Sequence, residues 1–398
     1  MAAVQSSFSV ASTAAEAVAE LAAQLRAGAR GGKVAGGFIQ ASVAHDLVQV
    51  TAALEAELPG VPFIGVTSCQ GLGTDRGVVG AGPGLSALWL IGDDVQFRVA
   101  TTYEPQWPGA GLDLVASTGP TGPGNHFAIL HSTPGYEERL LADLVPALGP
   151  GIPLLGGTAA DDDLSGKWGV FASGGFVSVT SGLGAVLAVV SWPGRVAISM
   201  QSTAMVTPHR GRVTRAFGRT IYEIDGKPAA QVYNQWMGGA LTRQLREGGN
   251  ILNEAALQPL GVHRVERGVG SYVLIHPETI VASNGAMTTF KEIVVGEEIW
   301  FMKASRAGLI GRPAAVVERL MIDARLPASQ VLGAYLVYCG GCRLTVNEGT
   351  SVMLAGFRGA LGHVPFTTAY CFGEQGCSVP NGPAEHGNLM TGALLLGS

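Results

Sequence analysis

One pattern, present three times, constrains the fold of this chain more than any other feature. An apolar, strand-like run is followed by a loop of small residues, a helical pattern, a turn and a second strand-like run that opens with Val-Pro or Ile-Pro. Such order is typical of strand–helix–strand units. The copies lie at residues 33–71, 126–162 and 331–376.

Unequal insertions separate the copies, which favours duplication inside a globular fold over a solenoid of stacked repeats. The insertions contain alternating runs that predict hairpins, one of them with an Asn284-Gly285 turn. We therefore predict an α+β protein with two lobes and mixed β-sheets, built from repeated strand–helix–strand units with added hairpins. A boundary near "VTPHRGRV" divides it into domains 1–206 and 207–398.

Three local expectations concern helices and a loop. Thr13 and Glu16 have the spacing of a capping box and predict a helix over residues 13–28. Pro313 is expected in the first turn of another helix, and the segment after Arg343 shows no clear helical pattern. The acidic run at residues 161–163 is expected to be a solvated loop.

Composition excludes several classes of protein. The net charge is -5 and no run of Lys or Arg occurs, which argues against a nucleic-acid-binding face. No apolar run reaches the roughly 18 to 20 residues that a membrane span needs, and the N-terminus lacks the pattern of a signal peptide. Five cysteines, an odd number in 398 residues, do not indicate a disulfide framework. We therefore expect a cytoplasmic protein without nucleic-acid or membrane partners.

The loops that follow the predicted strands are where a ligand is expected. In open α/β units, ligands bind beyond the carboxyl ends of strands, where backbone N–H groups are free to donate. Four of the five cysteines fall in these loops or at their edge. The loop residues and nearby polar residues that we select as ligand-binding candidates are Thr67, Ser68, Cys69, Thr158, Ala159, Asp161, Cys339, Cys342, Arg343, Glu374, Gln375, His386 and Asn388.

Six short motifs, in order, resemble the FIST domains. "GVTSCQG", "LLGGTAADD" and "YEIDGKPA" are similar to the N-terminal half and the junction, and "YCGGCR", "FGEQG" and "HGNLM" to the C-terminal half. The resemblance covers about residues 5–397. One departure is Gly71-Leu72, where many members have Gly-Glu.

The resemblance implies a sensory protein that binds a small ligand, with amino acids proposed for the family, and that reports to a separate signalling protein. In this chain Arg343 is expected to hold an anionic group of a small polar metabolite. Thr67, Ser68, Thr158 and Ala159 would contact it in a cleft between the lobes. Glu374 and Asn388 would orient an amino or hydroxyl group.

Alternative interpretations stay open at this point. One is an enzyme with Cys342 or Cys69 as nucleophile, His131 or His386 as base and Glu374 as the residue that orients it. A second follows from haem-binding, nitric-oxide-sensing relatives and has His131 or His386 as the iron ligand. The Cys339-x-x-Cys342 pair also permits a redox couple, or a zinc site completed by Cys371 and Cys377. No cofactor is expected as the first choice, and catalysis and oligomeric state are left open.

Overall fold

The structure is a computed structural model and describes residues 2–79, 82–119, 122–266, 268–379 and 382–398. Its α-helices are α1 (Ala14–Ala29), α2 (Leu47–Glu57), α3 (Ala110–Thr118), α4 (Glu137–Leu148), α5 (Ala229–Trp236), α6 (Thr242–Glu247), α7 (Leu252–Ala255), α8 (Arg306–Asp323), α9 (Gly340–Val346) and α10 (Thr350–Leu361). Short 3-10 turns occur at Ala328–Gln330 and Asn347–Gly349.

The strands form four sheets. They are β1 (Ala3–Ser9), β2 (Val34–Ser42), β3 (Phe63–Ser68), β4 (Leu72–Thr74), β5 (Gly77–Val79), β6 (Leu85–Ile91), β7 (Gln96–Thr102), β8 (Asn125–Ser132), β9 (Leu154–Thr158), β10 (Val170–Ser173), β11 (Val177–Thr180), β12 (Ala185–Trp192), β13 (Val196–Ser202), β14 (Met205–Phe217), β15 (Thr220–Ile224), β16 (Lys227–Pro228), β17 (Gly249–Asn250), β18 (Leu260–Glu266), β19 (Val269–Ile275), β20 (Pro277–Val281), β21 (Ala286–Thr289), β22 (Glu298–Lys303), β23 (Val331–Cys339), β24 (Phe366–Cys371), β25 (Glu374–Cys377), β26 (Ala384–Gly387) and β27 (Met390–Gly397).

Three six-stranded sheets share one arrangement. Their orders are β1-β6-β2-β3-β10-β11, β7-β12-β8-β9-β25-β26 and β13-β27-β23-β24-β4-β5, and we call them the first, second and third sheets. At the centre of each lies one parallel pair, β2 with β3, β8 with β9, or β23 with β24. The other strands pair antiparallel. The α+β class with mixed sheets built from strand–helix–strand units is thus confirmed.

Each parallel pair sends its following hairpin to a different sheet. After β3 the chain forms β4 and β5, which join the third sheet through pairing of β4 with β24. After β9 it forms β10 and β11 on β3, and after β24 it forms β25 and β26 on β9. Strands from both sides of residue 206 therefore share the second and third sheets. The fourth sheet, antiparallel, lies within residues 205–303 and has its own apolar core.

The predicted helices are present with two corrections. Helix α1 is capped by Thr13, whose hydroxyl accepts a hydrogen bond from the Glu16 amide at 3.2 Å, as expected. Residues 340–346 form helix α9, so the expectation of no helix after Arg343 was wrong, because a short helix carries too few turns to show periodicity. Pro313 was wrongly expected in a first turn, because α8 begins earlier, at Arg306 after its Ser305 cap, and holds the proline in its interior.

An interior proline leaves one carbonyl of α8 without its usual helical partner, and another side chain supplies the donor. Pro313 has no N–H to donate to the carbonyl of Leu309. The hydroxyl of Tyr338, on β23, donates to that carbonyl at 3.0 Å. The irregularity therefore ties α8 to the central strand of the third sheet. Among the described residues, no helix combines the length and apolar content that crossing a bilayer requires.

Candidate functional site

Three loops meet where the second strands of the three parallel pairs end. The Ala160 amide donates to the Thr67 carbonyl at 3.1 Å, and the Cys69 amide to the Tyr370 carbonyl at 2.9 Å. The Phe372 amide donates to the Thr158 carbonyl at 3.1 Å, which closes a ring of backbone hydrogen bonds. The structure thus brings the loops of the three units together. The ring itself is buried.

The hydroxyl groups selected in the first loop already have backbone partners. Thr67 Oγ1 accepts from the Gly169 amide at 2.9 Å, and Ser68 Oγ donates to the Gly71 carbonyl at 2.7 Å and accepts from the Tyr370 amide. Both residues are at most 1% exposed, and Ala159 is fully buried beside them. Ser68 therefore joins the first loop to the strand before the third loop, and Thr67 joins it to the residue before β10.

Asp161 also organises a loop. Its Oδ1 accepts from the Leu164 amide at 2.6 Å, and its Oδ2 from the amides of Gly166 and Lys167 at 2.7 and 2.9 Å. The side chain is fully buried, so the expectation of a solvated acidic loop was wrong for this residue. Asp163 is exposed as expected. The burial of Asp161 was not predictable because a carboxylate that bonds to nearby backbone amides leaves no apolar pattern in the sequence.

A chain of buried polar groups links the second sheet to the fourth. Gln375 Nε2 donates to Thr158 Oγ1 at 2.8 Å, and that hydroxyl donates to Glu137 Oε1 at 3.0 Å. Arg219 then bridges Glu137 Oε2 and Glu138 Oε2, at 2.5 and 2.7 Å. Sequence positions that lie far apart are thereby joined in one network.

The network continues from Glu138 to the C-terminal hairpin. His386 Nδ1 lies 2.7 Å from Glu138 Oε1, and Asn388 Nδ2 lies 3.5 Å from His386 Nε2. Asn388 Oδ1 accepts from the His276 amide at 3.1 Å. Burial would raise the pKa of Glu138, but His386, Arg219 and Lys291 together lower it below its ordinary value. Glu138 is therefore an anion.

Part of the network has the donor types of a metal site. Glu137, Glu138 and His386 each offer one ligand atom, and these atoms lie within 4.8 Å of one another. Arg219 bonds to both carboxylates, however, and His386 bonds to Glu138. The guanidinium already supplies the positive charge that a cation would bring, so the set is satisfied by the protein itself.

Beside this network an open cavity of about 300 Å³ enters the protein. Its walls carry the charged side chains of Glu138, Lys291 and Glu385 and the ring of His386. Glu138 bonds to Arg219 and His386, and the single N–H of Arg264 Nε is shared between the two carboxylate oxygens of Glu385, each at 2.9 Å. The remaining, apolar lining is formed by Leu141, Ala142, Val145, Pro146, Pro383 and Ala384.

Lys291 differs from the other charged groups of the cavity. It is 6% exposed, and its ammonium makes no direct hydrogen bond or close ion pair with a described residue, although its charge acts on Glu138 in the same cavity. An ammonium at the wall of a cavity, with no acceptor bonded to it directly, can take the carboxylate of a ligand as its partner. A larger groove of about 910 Å³ is also present, but the charges that line it, Arg319 and Asp323, already pair with each other at 2.8 Å.

Arg343, the predicted anion partner, lies elsewhere. The residue is buried, and its guanidinium donates to the carbonyls of Gln70 and Asn347, at 3.1 and 3.4 Å. It also stacks over the ring of Tyr370, with 5.7 Å between Cζ and the ring centroid. Neither the cavity nor the larger groove reaches it.

The arrangement of thiols does not favour a cysteine nucleophile at Cys69 or Cys342. Burial raises the pKa of Cys69 to about 12, with Asp162 adding to the effect. The pKa of Cys342 is raised by its contact with Cys339 and by burial. A thiol with a raised pKa holds its proton near neutral pH and is a poor nucleophile.

The predicted base and the predicted zinc site are not formed either. Both ring nitrogens of His131 are used: Nδ1 donates to the Gly157 carbonyl at 2.8 Å, and Nε2 accepts from Tyr335 at 2.9 Å. His131 is therefore no base for a thiol. Among the described residues, the four thiols proposed for zinc do not gather as such a site would require; they are Cys339, Cys342, Cys371 and Cys377.

Comparison with known families decides the identity. The FIST N domain matches residues 35–227, and the FIST C domain matches residues 229–377. The chain belongs to the FIST family. The two FIST matches adjoin at residues 227 and 229, well past the predicted boundary at 206/207, and that division of the chain stays a prediction.

Other comparisons add little. No curated protein matches the sequence. Among solved structures, the one titled "Structure of PurLQS from Thermotoga maritima" is similar at 13% identity over 100% of this chain and 72% of that chain, with a TM-score of 0.25. That likeness is too weak to carry an argument about this FIST protein.

Neither His131 nor His386 is placed to hold the haem iron that the sequence resemblance suggested. His131 has both ring nitrogens engaged in the core. His386 Nε2 lies so close to Gly373 that a Cβ added there would be 2.3 Å away, which leaves no space for iron on that nitrogen. Its other nitrogen is bonded to Glu138.

Sequence reasoning missed the charged residues of the cavity. Glu138 follows the second loop at the start of α4, and that placement was the one available signal. Lys291 stands in an insertion between the units, and Glu385 follows the last unit, where no motif marks them. Of the predicted residues, Thr158, Gln375, His386 and Asn388 join the network, and His386 alone lines the cavity.

Proposed function

We propose that this FIST protein is a cytoplasmic sensor that binds a small α-amino acid in the cavity beside Lys291 and reports its occupancy to a separate signalling protein. The observation that carries the proposal is the position of Lys291, a largely buried residue at the wall of a cavity of about 300 Å³, whose ammonium has no direct hydrogen-bond partner among the described residues. Five free thiols are typical of a reducing compartment.

The charges of the cavity match those of an amino acid. Lys291 offers a cation for the carboxylate, and Glu138 and Glu385 offer anions for the ammonium group. Both carboxylates already accept hydrogen bonds from arginines, whereas the ammonium of Lys291 lacks an acceptor. A zwitterion with its carboxylate on Lys291 supplies that acceptor and adds no net charge to the buried site.

The apolar lining matches a short side chain. Leu141, Val145 and Pro146 from α4 line the cavity together with Pro383 and Ala384. A volume of about 300 Å³ is at the small end of ligand sites, so the ligand is a single small molecule. We therefore propose an amino acid with a short, uncharged side chain.

The test is calorimetric titration of the purified protein with leucine, alanine and threonine. Each is compared with analogues that lack one charge: for leucine, 4-methylpentanoate and isoamylamine. We expect binding of at least one amino acid, and at least tenfold weaker binding of both analogues, because each leaves one charged group of the site without its partner.

Lys291→Met is expected to abolish that binding. Lys303→Met removes an exposed lysine on β22 and serves as the matched control, with binding unchanged. Unchanged binding in Lys291→Met would place the ligand elsewhere. If no amino acid with an uncharged side chain binds the folded protein, the proposed ligand class is contradicted.

A further inference from the structure

A second cluster of chemical groups lies apart from the amino-acid cavity and has no role in the function proposed for that cavity. Cys339 ends strand β23 and caps helix α9, and Cys342 is the third residue of that helix. A spacing of three residues at the start of a helix places both side chains on one face. The thiols lie close enough that each shifts the pKa of the other.

A buried carboxyl group faces this dithiol. Glu374 is fully buried and interacts with the thiol of Cys339. Its Oε2 accepts from the Met390 amide at 2.9 Å, whereas its Oε1 has no hydrogen-bond partner among the described residues. Burial and the nearby sulfur raise the pKa of Glu374 well above its ordinary value, which favours the protonated carboxyl.

We propose that Cys339 and Cys342 form a redox-active dithiol that hydrogen peroxide or a similarly small peroxide converts to a disulfide, with Glu374 as the proton relay. A buried carboxyl with an unused oxygen beside two adjacent thiols is a costly arrangement that packing does not explain. Transfer of a proton during thiol oxidation would account for a carboxyl group at this position.

The chemistry balances in two steps. The sulfur of Cys339 attacks one peroxide oxygen, the O–O bond breaks, and Cys339 becomes a sulfenic acid. Its thiol proton passes to Glu374 as Glu374 gives its own proton to the departing hydroxide, which leaves as water. The sulfur of Cys342 then attacks the sulfenic sulfur, the S–O bond breaks, and the hydroxyl leaves with the Cys342 proton as a second water. In total, two thiols and one peroxide give one disulfide and two waters.

The order of attack follows from the surroundings of the two sulfurs. The hydrogen bond from Cys342 lowers the pKa of Cys339 against the opposing effect of burial, while the pKa of Cys342 is raised. Cys339 is therefore the nucleophile and Cys342 the resolving thiol. The pair is 3% and 1% exposed, so a small peroxide is expected to reach it and the bulky disulfide of glutathione is not.

The test counts thiols in the folded protein after brief exposure to hydrogen peroxide, by denaturation, alkylation and intact mass. Of five cysteines, we expect three to remain alkylatable, five again after dithiothreitol, and a peptide map that links Cys339 to Cys342. Oxidised glutathione is expected to leave all five free. Cys342→Ser is expected to lose this disulfide, and Cys377→Ser, a thiol on β25 outside the cluster, to retain it.

Two results would overturn the proposal. One is a folded wild-type protein that keeps five thiols in peroxide; the other is a disulfide that joins any other pair. Glu374→Gln keeps an oxygen that accepts a hydrogen bond from the Met390 amide, but it cannot give up a proton as a carboxyl group does. The variant therefore distinguishes a proton relay from a role in packing. We expect it to melt like the wild type and to form the disulfide about tenfold more slowly at pH 7. An unchanged rate in that variant would remove Glu374 from the mechanism.

Discussion

Arg219 Nη2 lies 2.7 Å from Glu138 Oε2 and thereby fastens the turn between β14 and β15 to the first turn of α4. The same nitrogen lies 2.5 Å from Glu137. These contacts join the fourth sheet to the second, and they place Glu138 at the wall of the cavity. The cavity is thus lined by residues from both halves of the chain.

Removal of this arginine is expected to cost much of the stability of the protein. Arg219→Met removes the positive charge that pairs with Glu137 and Glu138, and Glu137 is only 2% exposed. We therefore expect a loss of about 2–4 kcal/mol in the free energy of unfolding. Arg215→Met breaks an exposed ion pair with Glu223 and should cost less than about 1 kcal/mol. Urea unfolding of both variants gives the comparison, and equal losses would contradict the assigned role of Arg219.

A single methyl group at Gly373 is expected to disturb the ligand site. A Cβ there would lie 2.3 Å from His386 Nε2 and 3.0 Å from Thr158 Oγ1, so Gly373→Ala has to displace the histidine. We expect a loss of about 1–3 kcal/mol in stability and weaker amino-acid binding. Gly359→Ala, in α10 with open space around its Cα, should be neutral or slightly stabilising. Calorimetric titration and thermal melting of both variants test this difference.

The buried histidine of β8 is expected to make stability depend on pH. Burial lowers the pKa of His131 to about 4, although its bond to the Gly157 carbonyl opposes the change. Between about pH 6.5 and pH 4 the unfolded chain binds a proton at this residue and the folded chain does not. Stability therefore falls as the pH is lowered through this window, by at most roughly 3 kcal/mol from this group.

His131→Gln is expected to flatten that part of the pH profile, and His363→Gln, at an exposed position, to leave it unchanged. Chemical unfolding at several pH values across this window provides the measurement. If the difference in unfolding free energy between wild type and His131→Gln is the same throughout, His131 is not the titrating group.

The three strand–helix–strand units were predictable because apolar periodicity and the Val-Pro and Ile-Pro openings are local signals. Their meeting at a ring of backbone bonds followed from the carboxyl ends of the strands. The exchange of hairpins was not predictable, since pairing of β10 with β3 or β25 with β9 depends on partners distant in sequence. Helix α9 was missed because its seven residues are fewer than pattern analysis needs.

The candidate site was predictable only where local sequence signals mark its residues. Thr158, Gln375, His386 and Asn388 stand at strand ends or in a turn, where motifs draw attention to them. Lys291 stands in a loop before β22, and its place at the wall of the cavity depends on the packing of distant segments, which a sequence does not display. Arg343 drew attention through its motif, but its guanidinium is used by backbone carbonyls.

The exchanged hairpins have a consequence for how this molecule comes into being. The second sheet, which carries α4, receives its last strands only when residues 374–387 have left the ribosome. The third sheet likewise waits for β24 and β27, so the nascent chain holds both sheets unfinished until its C-terminal strands arrive. His386 and Glu385 belong to these last strands, so the cavity beside Lys291 is complete only after they have joined the second sheet.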